Sequence, residues 1–158
     1  MIHIYYGSQS GTCEYLSLNL KSTLEEKYKL DIICDSLNNF DFSIKNDVNI
    51  FIIITSTHGN GDYPENAGQF WSHVKNRKLN NENFKNMKYI ILGLGDSNYV
   101  DFCGFAKKLD KRLLDLNASK IYDTFYIDSA INEIDEQFDI WISKIIDVLM
   151  FNLQIVPK

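Results

Sequence analysis

Ile50-Phe51-Ile52-Ile53-Ile54 is apolar on consecutive residues, and Tyr89-Ile90-Ile91-Leu92 repeats the pattern. A strand of that kind must be covered on both faces, as in a parallel sheet held between two layers of helices. These two stretches belong to a series of five β-rich runs, Ile2 to Tyr6, Leu30 to Cys34, Val48 to Thr55, Tyr89 to Leu94 and Ile121 to Ile127. Segments long enough for helices separate them, and the alternation predicts βαβ units. The helical segments are Thr12 to Tyr28, Glu65 to Val74, Phe105 to Leu116 and Ile134 to Phe151. In the last, Ile134, Phe138, Trp141, Ile145 and Leu149 recur at three- and four-residue steps, an apolar stripe that should pack on the sheet. Asn- and Lys-rich stretches around Asn38-Asn39 and from Asn76 to Asn86 lack periodicity and are expected to be surface loops. No repeat, proline-rich linker or composition break divides residues 1–158, so a single α/β domain is expected.

Composition narrows the function classes. The formal charge is −5, so no basic field exists for nucleic acid or an anionic membrane. Cys13, Cys34 and Cys103 are an odd number without a CxxC spacing, against both a disulfide framework and a zinc site and in keeping with a reducing compartment. The longest apolar run, Ile50 to Ile54, is far short of the ~18 residues of a membrane span. Met1-Ile2-His3-Ile4 leads straight into the first run without a signal-like basic region. A soluble, cytoplasmic chain is expected.

The polar, glycine-bearing turns follow the first, third, fourth and fifth runs. In an open α/β sheet ligands bind outside the carboxyl ends of the strands, where the strand order reverses; for the order 2-1-3-4-5 that point lies between strands one and three. After the first run comes Gly7-Ser8-Gln9-Ser10-Gly11-Thr12, opening a helical pattern. Backbone N–H groups at a helix start, with the hydroxyls of Ser8, Ser10 and Thr12, can hold a phosphate. Cys13 and Glu14 stand where a nucleoside-triphosphate loop needs lysine and a hydroxyl, and the G-x-G-x-x-G spacing of a dinucleotide loop is missing. A single terminal phosphate fits better. After the third run, Ser56-Thr57-His58-Gly59-Asn60-Gly61-Asp62-Tyr63-Pro64 places two glycines where a flat ligand could approach bare backbone. After the fourth, Gly93-Leu94-Gly95-Asp96-Ser97-Asn98-Tyr99-Val100-Asp101-Phe102-Cys103 adds an aromatic able to lie against a ring. Together the three turns describe a site for a planar heteroaromatic mononucleotide.

These three motifs, with Pro64-Glu65-Asn66-Ala67 after the second, resemble the flavodoxin-like FMN domain of the diflavin reductases, the family of cytochrome P450 reductase, methionine synthase reductase and sulfite reductase flavoprotein. The resemblance covers nearly the whole chain. It implies a flavodoxin-like doubly wound sheet and FMN as cofactor. Ser8, Gln9, Ser10, Gly11 and Thr12 would hold the phosphate. Thr57, His58, Gly59, Asn60 and Gly61 would border the isoalloxazine, Tyr99 would stack on one face, and Ser56, Leu94, Gly95, Asp96, Phe102, Cys103 and Asp128 would complete the site. A backbone carbonyl of the glycine turn would accept a hydrogen bond from the flavin N5–H, making one-electron transfer accessible. Asp96 and Asp128 would add negative charge and lower the flavin potential, so neutralising both should raise it. His58 stands where cytochrome P450 reductases usually have tyrosine; it either stacks or leaves that flavin face open.

The resemblance further implies an electron-transfer module that receives electrons from an FAD/NADPH-binding reductase unit and passes them singly to a haem, cobalamin or Fe–S acceptor. Within these 158 residues no FAD- or NADPH-binding half is expected, so the chain alone is not expected to oxidise NADPH and would be either a domain of a longer reductase or a small independent carrier. The alternatives are a stand-alone flavodoxin-type shuttle and, more remotely, a cofactor-less interaction domain of the same fold. A signalling receiver needs an acidic pair after the first run and an aspartate ending the third; Tyr6-Gly7 and Thr55-Ser56 stand there instead.

Overall fold

The computed structural model describes residues 1–43, 49–79 and 84–154. Strands β1 (Ile2–Gly7), β2 (Ile32–Ser36), β3 (Ile50–Thr55) and β4 (Lys88–Gly95) form a parallel sheet in the order β2-β1-β3-β4. Helices α1 (Thr12–Tyr28), α2 (Gly68–Val74), α3 (Gly104–Asp115) and α4 (Ile134–Leu153) cover it, and a short 3-10 turn, Glu65–Ala67, leads into α2. The sheet order and the two helical layers make this the doubly wound flavodoxin-like α/β fold that the sequence predicts. Val48 and Asn80–Asn83, within an expected strand and an expected loop, lie outside the described residues.

Alternating side chains of each strand go to opposite layers. Ile2, Ile4, Ile52, Ile54, Ile90 and Leu92 pack with Leu16, Leu20 and Leu24 of α1 and Phe138, Trp141 and Ile145 of α4. Tyr5, Phe51, Ile53, Tyr89 and Ile91 pack with Phe70 and Val74 of α2 and Phe105, Leu109 and Leu113 of α3. Every residue of β3 is buried, which is why it carries no polar alternation. Each large apolar side chain taken fully out of water stabilises by about 1.5–3 kcal/mol.

The fifth strand departs from expectation. Ile121 to Ile127 is not one continuous strand: β5 (Ser119–Lys120) pairs with Lys88 and Tyr89, and β6 (Phe125–Asp128) pairs with Leu92 to Gly95. Between Lys120 and Phe125 the edge advances five residues while β4 advances three, so the chain must bulge. With β4 as its one neighbour among the described residues, it can do so at little cost in ladder hydrogen bonds. The buried Asp110 of α3 holds the bulge: its carboxylate accepts from the Tyr89 hydroxyl at 2.7 Å, the Thr124 hydroxyl at 2.8 Å and the Lys120 ammonium at 3.0 Å. Burial, then the hydrogen bond to Asp110, pushes the Tyr89 phenol well up, so it stays a donor. The sequence run contains no sign of Asp110, ten or more residues away.

Candidate cofactor site

At the carboxyl end of β1 the chain must turn close beneath its neighbours. A Cβ on Gly7 would lie 2.6 Å from Thr55 Oγ1, so the position takes only glycine without displacement. The following loop is tied largely to the protein. Ser8 N–H donates to Asn66 Oδ1 at 2.7 Å, Ser8 Oγ accepts from Gly11 N–H at 2.8 Å, and Gln9 Oε1 accepts from Glu65 N–H at 3.1 Å. Gly11 precedes α1 at φ +90°, a left-handed conformation, and no side chain caps the helix. The N–H groups of the first turn of α1 therefore lack intrahelical acceptors, as at any helix start. Beside them stand the Ser10 and Thr12 hydroxyls, 3.3 Å apart.

Beyond β3, Ser56 N–H donates to the Gly7 carbonyl at 2.9 Å, joining the second loop to the first. Thr57 Oγ1 accepts from Phe105 N–H at 3.1 Å, anchoring the loop to the first turn of α3. His58 and Asp62 exchange two backbone hydrogen bonds of 2.8 and 2.9 Å, closing a tight loop with Gly59 at φ +55° and Gly61 at φ +88°. Where a Cβ of Gly59 would stand there is open space.

The third loop, from β4 to α3, carries two non-glycine residues in left-handed conformation, Asp101 at φ +61° and Cys103 at φ +52°. Such residues have a real steric cost and are held by their surroundings. Here Gly104 N–H donates to the Asp101 carbonyl at 2.8 Å. Asp96 starts the loop as a turn, with its carboxylate accepting from Asn98 N–H at 2.8 Å. Asp128, at the end of β6, accepts from Ser97 and Ala130 N–H at 3.0 Å each. The hydrogen bond from Ser97 holds the Asp128 carboxyl below the usual carboxylate range.

The loops enclose one cavity of about 430 Å³, within the usual range for small-molecule sites. Ser10, Thr12, Ser56, Thr57 and Ser129 line it, and Leu94, Phe102, Cys103, Ile127 and Ile134 give it an apolar side. Gly59, Gly95, Asp96, Tyr99, Val100 and Asp101 complete the wall. Tyr99 and Val100 are 72% and 78% exposed, so neither is consumed in packing the protein itself. Among the described residues, no lysine or arginine lines the cavity. Burial pushes the Cys103 thiol up to about 12, and that of Cys13, behind Ser56, likewise to about 12. Neither is a thiolate nucleophile at neutral pH.

Eleven of the residues expected at the site form its wall: Ser10, Thr12, Ser56, Thr57, Gly59, Leu94, Gly95, Asp96, Tyr99, Phe102 and Cys103. The other seven stand off it. Ser8, Gln9 and Gly11 build the first loop through the bonds above. His58 and Asn60 are exposed, and Gly61 packs against Gly104. The Asp128 carboxylate is turned to two backbone N–H groups, joining the third loop to the turn after β6. Val100, Asp101, Ile127, Ser129 and Ile134 line the cavity without having been singled out from the sequence. The motif after the fourth run contained Val100 and Asp101 and the fifth run ended at Ile127, whereas the helical periodicity of Ile134 reads as core.

A cavity with neutral donors and a helix start at one end and bare glycine backbone with an exposed aromatic at the other defines an α/β nucleotide binder of the doubly wound class. Its residues fit a flavin mononucleotide: room over Gly59 for a flat ring, and hydroxyls without formal charge for a phosphate. The profile of the flavodoxin family matches residues 4–141, and the chain belongs to that family, whose cofactor is FMN. It is 32% identical over 153 residues to NADPH–cytochrome P450 reductase of Saccharomyces cerevisiae, covering 96% of this chain and 22% of that protein. With methionine synthase reductase of Caenorhabditis elegans the identity is 33%, over 89% of this chain and 20% of the relative. With NADPH-dependent diflavin oxidoreductase 1 of Schizosaccharomyces pombe it is 36%, over 74% and 20%. The chain thus spans about a fifth of the length of these relatives. Its fold matches oxidised flavodoxin 1 from Bacillus cereus with a TM-score of 0.73 at 17% identity, over 94% of this chain and 96% of the other. Among the described residues, no helix is long and apolar enough to cross a membrane.

Proposed function

We propose that this chain is an FMN-binding electron-transfer module that works in the cytoplasm, takes electrons from an FAD/NADPH-binding reductase unit and delivers them singly to a protein holding a haem, cobalamin or Fe–S centre. The observation that carries the cofactor reading is the cavity, without lysine or arginine among the described residues, that joins Ser10 and Thr12 to the open Gly59 backbone and the exposed Tyr99. Partners of this class are supported by the relatives, whose names pair NADPH with cytochrome P450 or describe a reductase of methionine synthase. The three free cysteines suit a reducing compartment.

FMN supplies reversible one- and two-electron chemistry when bound. The protein binds and orients it. Ser10, Thr12 and the first-turn N–H groups of α1 would hold the phosphate, and the helix dipole favours the anion there. Leu94, Phe102, Ile127 and Ile134 would exclude water from the apolar side, with Tyr99 against the ring. Asp96 and Asp101 stand on the wall, so these two, rather than Asp128, would lower the potential through charge.

Purified chain incubated with FMN and desalted should retain about one equivalent, seen as flavin absorbance with quenched fluorescence. Dithionite should bleach it; NADPH alone should not. Retention of no FMN would sink the reading, and reduction by NADPH without a partner would sink the assignment of a separate reductase unit.

A further inference from the structure

Lys108, on the exposed side of α3, reaches away from its own helix, and its ammonium donates to the Gly61 carbonyl at 3.0 Å. Gly61 is the last residue of the loop Gly59-Asn60-Gly61, whose ends His58 and Asp62 are already joined by two backbone hydrogen bonds. The same residue is fixed from a second side. A Cβ on Gly104 would lie 2.8 Å from Gly61 Cα, and one on Gly61 would lie 3.4 Å from Asp101 Cβ. Both ends of the loop and its third residue are therefore anchored. The peptide between Gly59 and Asn60 lies between these anchors, and Gly59 faces the cavity with open space above it.

We propose that Lys108 is a positioning residue of the cofactor site, holding the glycine turn through the Gly61 carbonyl so that the Gly59 backbone is pre-organised for the flavin. The proposal rests on the FMN reading above. Lys108 does not line the cavity, so it acts through the turn and leaves the wall without formal positive charge. A loop ordered before the ligand arrives spares the ordering cost at binding, and affinity rises accordingly. Lys107, its neighbour, reaches another part of the site: its ammonium lies 5.4 Å from the ring centres of both Phe102 and Tyr126. Successive lysines of α3 thus hold two different loops from outside.

Three variants test it. Lys108→Met keeps the aliphatic stem and removes the donor, Lys108→Arg restores a cationic donor, and Lys111→Met removes an equal charge from an exposed position nearby. Two quantities are read: amide hydrogen exchange at His58 and Asp62 in protein without FMN, and the FMN dissociation constant. In Lys108→Met exchange should quicken by roughly three- to tenfold, as for the loss of one partly exposed charged hydrogen bond. The dissociation constant should rise by a similar factor. Lys108→Arg should restore both, Lys111→Met should change neither, and the Leu109 and Leu113 amides of α3 should stay as in the wild type. Unchanged exchange or affinity in Lys108→Met overturns the proposal. So does loosening spread equally through α3, or an equal effect from Lys111→Met. Wild-type protein that binds no FMN overturns the cofactor reading instead, while the exchange comparison still decides whether Lys108 holds the turn.

Discussion

The first and third loops reach the same cavity by opposite routes. In Gly7 to Thr12 most polar groups are spent on the protein: Ser8 on Asn66 and Gly11, Gln9 on Glu65. Only Ser10 and Thr12 line the cavity. From Gly95 to Cys103 the loop lines it with Gly95, Asp96, Tyr99, Val100, Asp101, Phe102 and Cys103, and leaves Tyr99 and Val100 in water. One loop is a frame carrying two hydroxyls; the other is itself a wall, held from behind by Asp128 and Gly104. A motif rich in candidate ligands therefore divides into groups that build a cradle and groups that face what it holds.

The sharpest way to break this contrast is Gly7→Ala in the frame. The new methyl meets Thr55 Oγ1, with Ala67 and Leu37 each 3.3 Å away, so the overpacking should cost about 1–3 kcal/mol. Thermal unfolding should show Tm lower by roughly 2–12 °C; an unchanged Tm would mean the frame is softer than its contacts imply.

Next in size is the acid response set by Asp128. Its carboxyl titrates lower folded than unfolded, chiefly because Ser97 donates to it. Its contribution is therefore present above the ordinary carboxylate value and is lost as pH falls from about 4 through the lower folded value. Denaturant unfolding of the wild type should weaken over that range, and Asp128→Asn should remove part of the slope. Equal slopes in both would detach Asp128 from the support of the third loop.

Tyr99→Ala should have the smallest effect on stability, within about 0.5 kcal/mol, because its ring packs on little of the protein. The FMN dissociation constant should nonetheless rise by roughly two- to tenfold, the worth of one aromatic contact. A variant that loses Tm but binds FMN normally would reverse the roles assigned to frame and wall.

Much of the fold was legible because its cause is local and repeated. Consecutive apolar residues in β3 and β4 demand cover on both faces, and Phe138, Trp141, Ile145 and Leu149 make one helical face. The three ligand-bearing turns were visible for a related reason: glycines and hydroxyls after apolar runs announce turns at strand ends. The split of the fifth strand was hidden, since Asp110 that gathers Lys120 and Thr124 sits in the preceding helix. Likewise the pattern Ser8 to Thr12 looks uniform as text, yet the Ser8 backbone N–H donates to Asn66, 58 residues on, while its hydroxyl accepts from Gly11 N–H.

The sequence by itself determined the layered parallel sheet and the turns at its carboxyl end, because periodicity and glycine placement act within a few residues. Only the tertiary structure decided that Ser10, Thr12 and Asp96 line the cavity while Ser8, Gln9 and Asp128 hold the loops. Which way a polar group points depends on hydrogen-bond partners brought beside it by packing, and several of those partners, Asn66, Glu65 and Ser97 among them, are distant in the chain.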